Sequence, residues 1–249
     1  MLGISCFWLV AGHGFAAPDR SKSDYEQSGD VVWQVPTKDK VIALTFDDGP
    51  DPTNTPAILD LLEKYNAKST FFLVGDKVER SPQLVQREMA FGHELANHTY
   101  SHSYLSRRMT PDQMRRDILH AESVIMAITG KKCELFRPPG GVFNAGLVSQ
   151  LKQEGYTIVM WTWHQDTRDW SRPGVKKITD TVLNHARNGD IVLFHEYING
   201  KSQTIAALEI ILPELIQRGY RFVTISELLT YRVKNTDPPQ SPSLIVADN

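Results

Sequence analysis

Two periods of apolar residues take turns along the chain. Short apolar runs bounded by turn residues read as buried strands at 41–44, 69–74, 93–96, 134–136, 157–163, 191–194 and 220–223. Between them the apolar residues fall at helical spacing. Residues 54–65 carry Ile58, Leu59, Leu61, Leu62 and Tyr65 in that rhythm, and 81–91 read as a helix with Pro82 in its first turn. Thr110-Pro111-Asp112-Gln113 has the form of a capping box. It opens a helix whose apolar positions include Met114, Ile118, Ala121 and Ile125, and Gly130 ends it. Asn144 caps a helix that runs to about 154. Further helices are expected at 174–187 and 203–218, and a short last one opens at Thr224-Ile225-Ser226-Glu227. Strands that alternate with helices, without repeats, predict an α/β domain on a parallel sheet, either a (β/α) barrel or a doubly wound sheet.

The ends depart from this pattern. Residues 1–17 are apolar and rich in small side chains, closing with Gly14-Phe15-Ala16-Ala17. They resemble the core and cleavage site of a secretory signal, truncated at its basic end, and are too short for a comfortable membrane span. A secreted or envelope-associated protein is therefore expected. Residues 18–37 are polar and read as a linker. Residues 233–249, with Asp237-Pro238-Pro239-Gln240-Ser241-Pro242, read as a disordered tail. The folded domain is placed at 38–232.

Composition narrows the classes. The 249 residues are 41% hydrophobic and 22% charged, which suits one soluble domain with a sizeable core. A formal net charge of −2 carries no basic footprint of a nucleic-acid binder. Cys6 lies in the N-terminal segment. Once that is removed, Cys133 has no partner for a disulfide or a thiol metal cluster.

The reactive side chains sort onto one end of the strands. Asp47 and Asp48 close the first, in Thr45-Phe46-Asp47-Asp48-Gly49-Pro50. His98 and His102 follow 93–96, Arg137 follows 134–136, Asp166 and Asp169 follow 157–163, and His195 follows 191–194. In a barrel these ends converge on the face where active sites sit. Adjacent carboxylates cannot both stay ionised in a dry site unless a cation or an arginine is near. In His98-Thr99-Tyr100-Ser101-His102, two imidazoles four residues apart would point the same way on a helical turn and share a metal. Two histidines and one carboxylate form a facial set that suits zinc or another first-row divalent ion. Asp169 is placed to orient and charge His195.

Together these residues resemble the polysaccharide deacetylase (NodB-type) family of carbohydrate esterases. The resemblance spans about 190 residues and rests on five motifs in the family's order. They are Thr-Phe-Asp-Asp-Gly-Pro at 45–50, His-Thr-Tyr-Ser-His at 98–102, Arg-Pro-Pro-Gly-Gly at 137–141, Asp-Thr-Arg-Asp-Trp at 166–170 and Leu-Phe-His at 193–195. It implies a single-domain, distorted (β/α) barrel with fewer than eight strands. It implies a divalent metal, zinc first with cobalt, nickel or manganese as substitutes, held by Asp48, His98 and His102. It implies Asp47 as general base fixed by Arg137, and His195 as general acid paired with Asp169. Trp170 and Leu193 would wall the acetyl pocket, and the Gly140 N–H would face the oxyanion. The partner implied is an N-acetylated glycan of peptidoglycan or chitin type, with no nucleic acid and no other protein.

One departure stands out. The family often has an aromatic residue in the fourth place of the arginine motif, where this chain has Gly140. The backbone N–H stays, but any contact from that side chain to the sugar is lost. Two other readings are an amidase of small non-sugar amides on the same barrel and a catalytically inactive glycan-binding homologue. The intact Asp-x-x-Asp-Trp pattern favours the carbohydrate enzyme, and intact Asp47 and metal ligands weigh against an inactive module.

Overall fold

A computed structural model describes residues 20–105 and 109–233. The signal reading of 1–17 and nearly all of the tail reading lie outside the described residues. The elements run α1 (Lys22–Ser28), β1 (Val31–Val32), β2 (Val41–Gly49), α2 (Thr55–Lys64), β3 (Ser69–Leu73), α3 (Gly75–Arg80), α4 (Pro82–Ala90) and β4 (Glu94–Asn97). Then follow α5 (Pro111–Thr129), β5 (Leu135–Phe136), α6 (Ala145–Gln153), β6 (Thr157–Val159), α7 (Val175–Leu183), β7 (Ile191–His195), α8 (Thr204–Gln217), β8 (Arg221–Phe222) and α9 (Ile225–Thr230). All pairings are parallel, along the path β1-β6-β5-β4-β3-β2-β7. β8 pairs only with Val41 and Ile42 at the start of β2. The result is the distorted (β/α) barrel of a single domain, with seven strands on its main path.

Two expectations change. Residues 20–37, the described part of the expected linker, carry structure of their own. Ser21 caps α1 through a capping box, Tyr25 is buried, and β1 adds an edge strand to β6. The expected strand at 157–163 stops at Val159, because the next residues leave β6 to close the barrel. Thr162 donates its N–H to the Ile191 carbonyl at 3.0 Å, and Asp166 bridges to Leu193.

Strand alternation decides what reaches the site. Along β2, Ile42, Leu44 and Phe46 face the helices and pack with Ile58, Leu59, Phe71 and Phe194. The alternate residues Val41 and Ala43 belong to a second cluster with Phe72, Val159 and Ile191. Each fully buried aliphatic or aromatic side chain contributes roughly 1.5–3 kcal/mol. Thr45 and Asp47 continue the second series toward the end of the strand. The apolar filling thus gives way to polar groups at one end of the barrel.

Candidate active site

In a regular strand Asp47 and Asp48 would point to opposite faces. Here the β2–β3 register shifts between Asp47 and Gly49, and Asp48 takes φ 68°. This bulge turns both carboxylates toward one place. Thr99 and His102 also sit at positive φ, at 68° and 52°. Such backbones cost ~1–3 kcal/mol each and concentrate at functional sites. Residue 49 must be glycine. A Cβ there would fall 1.5 Å from Oε2 of Glu196, a fully buried side chain beneath the turn. Burial pushes the Glu196 carboxyl up to about 8, although Thr55 donates a hydrogen bond to it.

The two histidines are not on a helical turn. They flank an irregular loop held by Asn97 Oδ1, which accepts the Thr99 N–H at 2.9 Å. Asp117 accepts the N–H groups of Tyr100 and Ser101 at 3.1 and 3.2 Å. The rings nevertheless meet, with centroids 5.2 Å apart. Asp48 Oδ1 lies 3.4 Å from His98 Nε2 and 2.9 Å from His102 Nε2.

The donor chemistry of this triad fits a cation. His98 Nδ1 is 2.7 Å from the Arg137 carbonyl, which can only accept, so Nδ1 carries the proton. Nε2 is then the nitrogen turned toward Asp48 and available as a ligand. Asp48 Oδ1 is buried and has no hydrogen-bond donor. Lone pairs that converge without a donor suit a divalent ion. Asp48, His98 and His102 form the one group of three such ligand residues found among the described residues.

Arg137 organises the neighbouring carboxylate. It is fully buried, and its Nη1 donates to Asp47 Oδ1 at 2.6 Å and to Thr45 Oγ1 at 2.9 Å. Nε and Nη2 donate to the carbonyls of Val159 and Met160, at 3.0 and 2.9 Å. The guanidinium lies 4.0 Å over the Phe72 ring. A buried charge is tolerated when it is paired and its donors are satisfied, as here. Asp47 Oδ2 remains on the side of His98, 3.8 Å from Nε2.

His195 ends β7 beside Asp47, its register partner. Asp169 Oδ1 is 2.7 Å from Nδ1, and Oδ2 accepts the His195 N–H at 2.9 Å. Thr204 Oγ1 donates to the same Oδ2 at 2.7 Å. Burial works against a charged His195, but the Asp169 hydrogen bond and the carboxylates of Asp169, Asp47 and Asp48 outweigh it. The imidazole is raised to about 9. It therefore stays cationic at neutral pH.

These groups line a cavity of about 330 Å³. Its walls include Leu193, Trp170, Trp161, Tyr104 and Gly140, with Asp166 at the rim. All eleven residues singled out in the sequence, Asp166 included, thus fall in this cavity or in the layer directly behind it. A larger cavity of about 430 Å³, lined by His93 and Cys133, opens at the start of β4 and holds no such constellation.

A match to the polysaccharide deacetylase family covers residues 34–159. The chain belongs to the polysaccharide deacetylase family. A peptidoglycan-N-acetylglucosamine deacetylase of Bacillus cereus is 49% identical over 211 residues, covering 85% of this chain and 98% of that protein. The crystal structure of the Bc1960 peptidoglycan N-acetylglucosamine deacetylase superposes with a TM-score of 0.80. It is 32% identical and covers 86% of this chain and all of that one. A family 4 acetyl xylan esterase from Clostridium thermocellum, in complex with a cobalt ion, gives 0.70 at 36% identity. It covers 77% of this chain and 91% of that one.

Within this deacetylase fold, the structure adds residues that the motifs do not single out. Thr45 lies inside the first motif, and its place two residues before Asp47 on β2 was the available signal. Thr204 braces Asp169 from α8, 35 residues away, with no local signal. Lys77 donates to the Asp48 carbonyl at 2.6 Å and so pins the bulge. Tyr104 changes the expectation for Gly140, because its ring fills the space that a side chain at 140 would take.

Proposed function

We propose that the protein is a metal-dependent N-deacetylase of peptidoglycan, releasing acetate from N-acetylglucosamine residues and leaving free amines. One observation carries this reading. A single cavity holds a carboxylate fixed by a buried arginine, an Asp-His-His ligand set, and a histidine held cationic by a second carboxylate. The names of the relatives support the polymer and the sugar.

Asp48, His98 and His102 would hold the divalent ion, with zinc the first choice for two imidazoles and a carboxylate. Such an ion lowers the pKa of water and polarises the amide carbonyl. Asp47 takes the proton of the attacking water through Oδ2, while Arg137 keeps Oδ1. The Gly140 N–H, at the cavity wall, is available to the developing oxyanion. His195 gives its proton to the leaving nitrogen, which departs poorly as an anion. Leu193 and Trp170 enclose the acetyl methyl. The proton on His195 and the Asp47 oxygen that Arg137 leaves free sit in one cavity, as this chemistry needs.

The polymer lies outside the cytoplasmic membrane, so the reading puts the enzyme in the envelope or outside the cell, and cell fractionation tests that. No helix among the described residues is long and apolar enough to cross a membrane. The deciding experiment is product analysis on N-acetylated peptidoglycan, chitin oligomers and small amides. Acetate and free glucosamine amines from peptidoglycan are expected. Release from small amides alone would replace this reading with the amidase, and no release from any of them with the inactive homologue.

A further inference from the structure

Tyr104 stands two residues beyond the ligand His102, at the mouth of the cavity. The residue is 55% exposed, as open as Trp170, at 57%, in the same cavity. It is held from two sides all the same. The His102 ring meets it edge to face, with centroids 5.3 Å apart and planes at 84°. On another side lies the Pro139–Gly141 turn. A Cβ on Gly140 would fall 2.5 Å from Tyr104 Cε1 and 2.9 Å from Cδ1. Gly141 is covered likewise by Trp161, whose Cη2 would lie 2.8 Å from a Cβ there. The turn is therefore wedged between two aromatic rings, and both rings line the cavity.

A rigid ring with one open face loses little freedom when something packs on it. The C–H face of a pyranose is a flat apolar surface of matching size. We propose that Tyr104, whose ring occupies the space that Gly140 leaves, is a specificity-determining residue, with its exposed side packing against a sugar ring of the glycan. This rests on the glycan deacetylase reading. The glycine has a reason in this arrangement, since any side chain at 140 would displace the tyrosine. Sugar recognition at this point comes from the loop after β4 rather than from the arginine motif.

The test uses an N-acetylated tetrasaccharide and the full chain loaded with zinc. Turnover is compared for wild type, Tyr104→Phe and Tyr104→Ala, with metal content measured on each. Binding is measured separately in an Asp47→Asn background with the same changes at 104. Tyr104→Ala should raise KM and weaken binding roughly three- to tenfold, with kcat within about twofold of wild type. Tyr104→Phe should match wild type in both. Unchanged KM and binding in Tyr104→Ala overturns the proposal. So does a fall in kcat and metal content at constant KM, because the ring would then serve only to support His102. If wild type releases no acetate, the deacetylase reading fails, and the binding measurements decide the role of Tyr104 by themselves.

Discussion

Asp47 and Arg137 meet at 2.6 Å in a place where the arginine is wholly out of solvent and the aspartate almost so. The guanidinium also spans the carbonyls of Val159 and Met160, so it ties β2 to the end of β6. One side chain thus serves both the carboxylate and the closure of the barrel.

Arg137→Lys keeps a charge but cannot span those partners. It leaves the buried carbonyls of Val159 and Met160 without donors, and each buried group left unsatisfied costs ~1–3 kcal/mol. Melting temperature should fall by about 2–4 °C for each kcal/mol lost in a domain of this size. Acetate release should drop about 100-fold or more. Thermal unfolding and turnover, measured together, check this. A variant as stable and active as wild type would mean that the arginine only fills space.

The two adjacent aspartates should fail in different ways. Asp48 faces both histidines, so Asp48→Ala should lose metal and activity together. Asp47 faces Arg137, so Asp47→Asn should keep most of its metal and lose at least about 100-fold in turnover. Metal content by elemental analysis separates the cases. Chelation should abolish activity in wild type, with zinc or cobalt restoring it, and full activity in metal-free enzyme would end the metal reading.

How far the sequence alone reached can be judged from these residues. The clustering of Arg137, Asp169 and His195 at strand ends is plain from the order of apolar runs and polar residues, whereas the continuous apolar run 41–44 does not tell which face of β2 turns inward. The bulge that turns Asp48 was not legible, because it depends on Glu196, just beyond β7, packing against Gly49. β1 has two residues, too few to show a period. Met160-Trp161-Thr162-Trp163 looks like strand because it is apolar, yet it crosses toward β7, where Thr162 meets Ile191 and Asp166 then meets Leu193. Thr204 and Tyr104 join the site through contacts that no local spacing encodes.

Gly49 offers a stability test of that bulge. Gly49→Ala puts a methyl group into the Glu196 carboxyl, and such overpacking costs ~1–3 kcal/mol. The melting temperature should fall accordingly. Shortening the obstacle in a Gly49→Ala, Glu196→Ala double variant should recover part of the loss. If the double variant is less stable by the full sum of the two single effects, the two positions do not collide.

The last expectation concerns pH and the pair His195 and Asp169. Burial alone would lower the imidazole, and the carboxylates raise it to about 9 from its ordinary 6.5. The sign for stability follows from which state binds the proton more tightly. The folded protein does, so the stabilisation is complete below about pH 6.5 and is lost as pH rises through about 9. Its size is on the order of 3 kcal/mol. Activity should follow the same group, since only the cation can protonate the leaving nitrogen. The alkaline limb of the rate profile should therefore lie near pH 9. In Asp169→Asn the strongest support for the charge is gone, while burial still opposes it. The alkaline limb should move to lower pH and the rate at neutrality should fall. Thr204→Val removes only one donor to Asp169, and should shift the limb less. His195→Ala should remain folded with its metal and lose about 100-fold or more in turnover. An alkaline limb that stays in place in Asp169→Asn would detach the aspartate from the acid. Near-normal turnover in a folded His195→Ala would remove the histidine from the chemistry and leave it a packing residue at the end of β7.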